Sequence, residues 1–327
     1  MTRRWTWQVW VRQGVAALAV LFFVQCGWAA VHSPADQWHA EIRFAEYDCS
    51  HGRICTLRPG QVKTATDARG IDYRYTTNSQ GFRDRDHALT RPDPRAIRVE
   101  VYGSSPVFGL GVDDGETLAV ALERELTARL PGRPVEVLSF GLPETSFASA
   151  LAIYEDFGRA YEPDAIVFVQ PEMVRLADMN NRVRQIAGSR LLRGLLGFSW
   201  GRRLVNRFQY ATMGLDDPPS RCRPSPTLVP ALRGLVEDAA RRHPVIHFFS
   251  LWDRLGPFSD IAPPGLVWSA GRSGLARREY LESPLALPHD GHPSAEGHRR
   301  FAAQIADDVA PRILARLIRQ GGSSPPK

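Results

Sequence analysis

Lysine is nearly missing from this chain: Lys63 and Lys327 stand alone among 41 basic residues, and arginine supplies the rest. Cysteine is scarce too, at four, and no internal repeat is present. Each shortage excludes something. The net charge of +6 is spread along the chain and gathers in no lysine-rich block. A nucleic-acid surface is therefore not required, and anionic glycans or lipid headgroups suit the charge equally well. Of the cysteines, Cys26 lies in an apolar segment and Cys222 is left over. Cys49 and Cys55 flank Ser-His-Gly-Arg-Ile. A loop that short suits a local disulfide in an oxidising compartment. Zinc on Cys49, His51 and Cys55 would need a fourth ligand. No other spacing suggests a metal, and no cofactor is expected.

Acids are absent from the first thirteen residues, which carry Arg3, Arg4 and Arg12. Gly14–Val31 is then almost wholly apolar, interrupted by Gln25 and Cys26. Basic first and apolar next is the pattern of an export signal. The positive-inside rule puts the N-terminus in the cytoplasm and the remainder across the membrane. Gly27-Trp28-Ala29 offers a signal-peptidase site, yet the run is also just long enough to span a bilayer. Residues 1–31 are thus expected to be a signal peptide or an uncleaved membrane anchor, the anchor being preferred, with the rest periplasmic or extracytoplasmic. The remaining chain, about 290–300 residues, is enough for one large α/β domain or two small ones.

The stretch that organises the chain is Arg98–Val112. Ile97, Val99, Val101 and Tyr102 read as a buried strand; Gly103 breaks it, Ser104 and Ser105 come next, and a helix begins near Asp114. A strand that runs through Gly-X-Ser into a helix puts a hydroxyl at the carboxyl edge of a parallel sheet, where ligands bind in open α/β folds. A serine there is a nucleophile if a base reaches it. It reads equally as a helix-capping serine in a glycine-rich turn, and the stretch alone leaves both open.

The remainder alternates. Strands are predicted at Ile97–Tyr102, Val135–Phe140, Ala165–Val169 and Val245–Phe249, and helices at Glu116–Leu130, Phe147–Tyr161 and Leu228–Arg242. Leu118, Leu122, Leu126 and Leu130 form one stripe, with Asp113 and Asp114 as caps ahead of it. Such alternation means a parallel sheet covered on both faces. Residues 32–95 are polar and turn-rich, a subregion packed on the main domain of 96–320. Residues 175–219 are an arginine-rich insertion over the sheet edge, either a lid, a partner surface or a solvated excursion. Ser250–Pro288 is a long Pro- and Gly-containing connection, Ala295–Arg319 a closing helix with Pro311 as a kink point, and 321–327 a disordered tail.

Near the C-terminus stands His289-Asp290-Gly291-His292-Pro293-Ser294-Ala295-Glu296-Gly297-His298. Together with Gly103-Ser104-Ser105-Pro106-Val107-Phe108-Gly109-Leu110-Gly111-Val112 and Asn78-Ser79-Gln80-Gly81-Phe82-Arg83, it resembles the SGNH (GDSL-type) serine hydrolase family. The resemblance implies a three-layer α/β/α sandwich with a central parallel sheet, the flavodoxin-like fold of that family. It implies that Ser105 is the nucleophile, His292 the base and Asp290 the group that orients it. The oxyanion donors would be the backbone N–H of Ser105 and of Gly141, the latter in Ser139-Phe140-Gly141-Leu142-Pro143, where a plain turn glycine is the other reading. His298 falls on the family's Gly-His pair and is expected to be structural.

The chain departs from the family in three places. Ser104 replaces an Asp, Pro106 comes directly after the nucleophile, and the Asn expected after the third strand is missing. Gln170 is the candidate substitute, with Asn180 and Asn181 as others; losing one such donor costs roughly 10²–10³ in rate. The resemblance therefore implies an exported serine esterase acting on an acyl ester, with O-acetyl groups of an envelope polysaccharide as the substrate class. The alternatives are an O-acyltransferase using the same triad, and a catalytically weakened relative that binds glycan or protein.

Overall fold

The computed structural model describes residues 54–66, 70–143, 145–170, 245–251, 268–272, 274–288 and 291–321, with Gly14, Val20, Tyr47, Asp48, Gly234 and Glu237. Most of the 1–31 segment, the 175–219 insertion, most of the 228–242 helix, Cys49, His51, Asn180, Asn181, His289, Asp290 and the tail beyond Gly321 lie outside the described residues. Among those described, no helix is long and apolar enough to cross a membrane.

The chain first makes two small antiparallel pairs. Strand β1 (Tyr47–Asp48) pairs with β2 (Thr56–Leu57), and β3 (Val62–Thr66) with β4 (Asp72–Thr76) in the register Val62 to Thr76. These pairs lie in the stretch read as turn-rich; with two to five residues per strand, their alternation is too short to stand out. Cys55 is fully buried and disulfide-bonded.

Five parallel strands then build the main sheet: β5 (Ile97–Gly103), β6 (Val135–Gly141), β7 (Ala165–Val169), β8 (Ile246–Ser250) and β9 (Trp268–Arg272), in the spatial order β6-β5-β7-β8-β9. The chain moves from β5 to one side for β6 and returns past it for β7. This reversal is the switch point of a flavodoxin-like doubly wound sheet, and it opens a crevice beyond the carboxyl ends of β5 and β7.

Alternation along each strand sends side chains to two cores. On one face, Val99, Val101, Val137, Val167 and Phe249 pack with helix α2 (Leu118–Arg129) and helix α5 (Ala295–Gly321). The predicted leucine stripe is buried here, from Leu118 to Leu130, as are Phe301, Ile305 and Val309. On the other face Tyr102, Phe140, Phe168 and Phe248 pack with helix α3 (Phe147–Asp156) and with Tyr75 and Phe82 of the N-terminal subregion. Tyr102 stacks on Phe140 with centroids 5.0 Å apart, and Phe168 on Phe248 at 5.8 Å. The result is the expected three-layer α/β/α sandwich. Two further elements complete the described chain: α1 (Ser105–Phe108) and α4 (Arg277–Glu282).

Three details differ from the sequence reading. The helix expected from Glu116 begins at Leu118, because Asp114–Glu116 forms a separate 3₁₀ turn boxed by Asp113 and Glu116. The helix expected to Tyr161 stops at Asp156 and gives way to a 3₁₀ turn, Gly158–Tyr161. The connection 250–288 holds strand β9 and helix α4. Trp-Ser-Ala-Gly-Arg has no apolar run to announce a strand, and pairing with β8 makes it one.

Candidate active site

All seven residues of β5 are buried, so the strand delivers its carboxyl end without play. Ser104 is next, in extended conformation, and α1 begins at Ser105. Pro106 sits in the first turn of α1, where a helix leaves N–H groups unpaired in any case, so the missing donor costs nothing. After one turn the helix ends at Gly109, whose φ of 80° is a left-handed C-cap that closes a 2.9 Å bond to the Ser105 carbonyl. A single turn is unstable alone; here it presents Ser105, half-buried, at the sheet's carboxyl edge.

The opposing group comes from the loop before α5. The Leu287 N–H donates to the His292 carbonyl at 2.7 Å, the Ser294 N–H to Leu285 at 2.8 Å, and Ala286 bridges Pro293. The Ser294 hydroxyl donates to the Pro284 carbonyl at 2.6 Å and accepts from the Gly297 N–H at 3.1 Å. So fastened, the loop places His292 Nε2 2.8 Å from Ser105 Oγ. Asp290 lies outside the described residues. His298 is fully buried and its ring nitrogens have no hydrogen-bond partner among the described residues. Burial first, then the charge of Arg83 and the neighbouring His292, push its pKa down to about 3, so it is a neutral core imidazole.

Strand geometry positions the backbone donors. Successive N–H groups along a strand point to opposite sides. The Leu142 N–H donates to the Gly103 carbonyl, so the odd-numbered amides of edge strand β6 face outward. The amide of Val137 is taken by Glu123 Oε2 at 2.9 Å, and that of Ser139 by Asp84 Oδ2 at 2.7 Å. Gly141 is next in this row. A Cβ on it would meet Phe108 N at 2.4 Å and Val107 C at 2.6 Å, so a glycine is needed for α1 to lie against the strand end. That explains the residue by packing.

Gln170 occupies the first position after β7, on the other flank of β5. It is 5% exposed, its N–H donates to Phe249 at 2.8 Å, and its φ is 55°. A non-glycine residue held in the left-handed region at a strand end stores strain of the kind found at functional sites.

Two features escaped the sequence reading. Arg83 is buried and donates through its guanidinium to four carbonyls and to Asp114. Asp114, read as a helix cap, instead anchors Arg83 and the Thr76 backbone. Only the resemblance of Asn78–Arg83 to a family motif pointed to this region; no periodicity does.

No family model matches the chain, and no curated protein does either. Solved structures do. One is a two-domain esterase (CEX) active on acetylated mannans, 14% identical over 66% of this chain, with a TM-score of 0.40; the chain spans 50% of its length. Another is a variant of Axe2, an acetyl xylan esterase from Geobacillus stearothermophilus, 16% identical, covering 66% of this chain and 95% of that one, with a TM-score of 0.40. A third, from Desulfitobacterium hafniense DCB-2, is assigned to the lipolytic G-D-S-L family, at 12% identity over 66% of this chain and 99% of that one, with a TM-score of 0.39. These are remote, and the residues themselves have to carry the function.

Proposed function

We propose that this chain is an exported serine esterase that works through an acyl-enzyme. The observation that carries the reading is the 2.8 Å contact between His292 Nε2 and Ser105 Oγ at the switch point of the sheet. In the forward step Ser105 Oγ attacks the ester carbonyl while His292 takes its proton. The carbonyl oxygen becomes an oxyanion facing the N–H groups of Ser105 and Gly141, with the Gln170 amide as a third donor. The C–O bond to the alcohol then breaks, and His292 returns the proton to that oxygen. Water repeats the sequence on the acyl-enzyme and releases the acid. Asp290 is assigned the orientation of the imidazole.

The substrate class proposed is an O-acetylated polysaccharide of the cell envelope. It is supported by the family resemblance and by the export pattern in residues 1–31, on which the domain would lie on the extracytoplasmic side of the membrane.

A fluorophosphonate probe tests the chemistry without the natural substrate, because it needs only an activated serine. Labelling is expected at Ser105 and absent in Ser105→Ala and His292→Ala. A folded chain that is not labelled, and does not hydrolyse small activated acetyl esters, refutes the esterase.

A further inference from the structure

The backbone donors of Ser105 and Gly141 sit on short, weakly supported pieces of chain: a one-turn helix and the last residue of an edge strand. The two pieces touch at Gly141, where a Cβ would meet Phe108 N at 2.4 Å, and residues outside them brace the contact. Three consecutive residues of the N-terminal subregion contact both pieces. Phe82 packs edge-on against Phe140, centroids 5.0 Å apart, immediately before Gly141. The Arg83 side chain is 2% exposed. Its Nη1 donates to the carbonyls of Gly109 at 2.6 Å and Phe108 at 3.2 Å, its Nη2 to Val112 at 2.7 Å and Arg74 at 2.8 Å, and its Nε to Asp114 Oδ1 at 2.8 Å. That uses all five guanidinium N–H groups. The carbonyls of Phe108 and Gly109 lie at the end of α1, where a helix leaves acceptors unpaired and favours a cation. Asp84 faces the other way: its Oδ2 accepts the Ser139 amide at 2.7 Å, two residues before Gly141, and its Oδ1 the Arg85 amide at 2.8 Å.

The neighbouring residues hold this tripeptide in place. Asn78 Oδ1 accepts the amides of Gln80 and Phe82, both at 3.0 Å, which closes the turn ahead of Phe82. The Tyr161 hydroxyl donates to Gln80 Oε1 at 3.1 Å. The rings of Tyr73, Tyr75 and Phe108 lie 5.4–5.8 Å from the Arg83 guanidinium carbon.

We propose that Arg83 and Asp84 are positioning residues that set the distance between the two backbone donors of the oxyanion site, Arg83 through the end of α1 and Asp84 through β6. The proposal rests on the esterase reading for its catalytic meaning. A buried arginine that served stability alone would, on replacement, cost stability and leave the kcat of the folded protein unchanged. One that sets donor geometry acts on the transition state more than on bound ester. A misplacement of about 1 Å costs on the order of 10²-fold in rate.

The experiment uses the full chain with Arg83→Lys, which keeps the charge but not the planar five-donor fork. It also uses Asp84→Asn, which gives up one acceptor oxygen, and Arg95→Ala as a control at an exposed ion pair. With an activated acetyl ester, kcat is expected to fall about 10- to 100-fold in the first two. KM stays near the wild-type value, unfolding stays cooperative, and a trifluoromethyl ketone, which forms a tetrahedral adduct, loses affinity in parallel with kcat. Arg95→Ala matches the wild type throughout. A loss confined to KM, or kcat unchanged in both variants, overturns the proposal. Should Arg83→Lys fail to fold, Asp84→Asn decides it. Amide hydrogen exchange separates this from the esterase reading. If the wild type is not labelled by fluorophosphonate, the esterase falls. Faster exchange in residues 104–112 of Arg83→Lys and 137–142 of Asp84→Asn then still supports the brace, and unchanged exchange there overturns it.

Discussion

His292 Nε2 lies 2.8 Å from Ser105 Oγ although 187 positions separate them. The contact joins the exit of β5, the first strand of the main sheet, to the loop before the last helix, so it exists only once the whole sheet has formed.

Because the two side chains act on one proton, their removal should not add. Ser105→Ala, His292→Ala and the double variant are each expected to lose on the order of 10⁶ in kcat, and the double no more than either single. Asp290→Asn removes the carboxylate proposed to orient the imidazole and should lose about 10⁴. Ser104→Ala should keep most activity, since Ser104 is buried and makes no side-chain cap to α1. Steady-state kinetics on an activated acetyl ester decide this; losses that multiply in the double variant would dismiss the Ser105–His292 unit.

Gln170→Gly separates strain from function. Glycine accepts a φ of 55° freely, which relieves roughly 1 kcal/mol of left-handed backbone cost. The melting temperature should hold or rise. If the amide donates to the oxyanion, labelling by fluorophosphonate slows about 10²-fold at the same time. Stability and labelling rate both unchanged would remove Gln170 from the site.

Acid should unfold this protein partly through two histidines. Burial, with the charge of Arg312, holds His247 down to about 3, and burial with Arg83 and His292 does the same for His298. Each folded pKa lies below the ordinary 6.5, so the unfolded chain takes up the protons first. Their stabilisation is complete above about pH 6.5 and is lost as pH falls toward 3, at up to about 1.4 kcal/mol per pH unit for each group. Urea midpoints of wild type and His298→Met, compared from pH 7 to 4, should converge as pH falls. Parallel curves would show that His298 titrates normally.

Glu100 works in the opposite direction. It is fully buried in the middle of β5, and its Oε2 accepts the Tyr102 hydroxyl at 2.6 Å. Burial pushes its pKa well above the carboxylate range, against the Tyr102 hydrogen bond and the Arg98 charge. A raised folded pKa means stability that is complete below about pH 4.5 and is lost as pH rises. Glu100→Gln keeps an acceptor for Tyr102 and never ionises, so it should raise the melting temperature at pH 7 and leave it unchanged near pH 4. A variant less stable than wild type at pH 7 would mean the carboxylate is paired and charged.

What the sequence determined by itself was local. The alternation Ile97-Val99-Val101 and the spacing Leu118-Leu122-Leu126-Leu130 are written in neighbouring residues. They yielded strands and a helix within a residue or two of those observed. The Gly-Ser-Ser break was legible for the same reason, whereas the Asp-Gly-His loop was singled out through the family resemblance. The tertiary structure decided what depends on which strand ends become neighbours. Arg98 and Glu100 are polar yet fully buried, because the N-terminal subregion and the 3₁₀ turn at Gly158–Tyr161 cover that side. Arg98 meets Glu136 at 2.8 Å and the Tyr161 carbonyl at 2.9 Å. Strand β9 exists through its pairing with β8. The grip of Arg83 on carbonyls 25 to 29 positions away, and the approach of His292 to Ser105, arise only when the doubly wound order brings those ends together. Local periodicity fixes which side chains face inward. The order of the strands determines which of them meet.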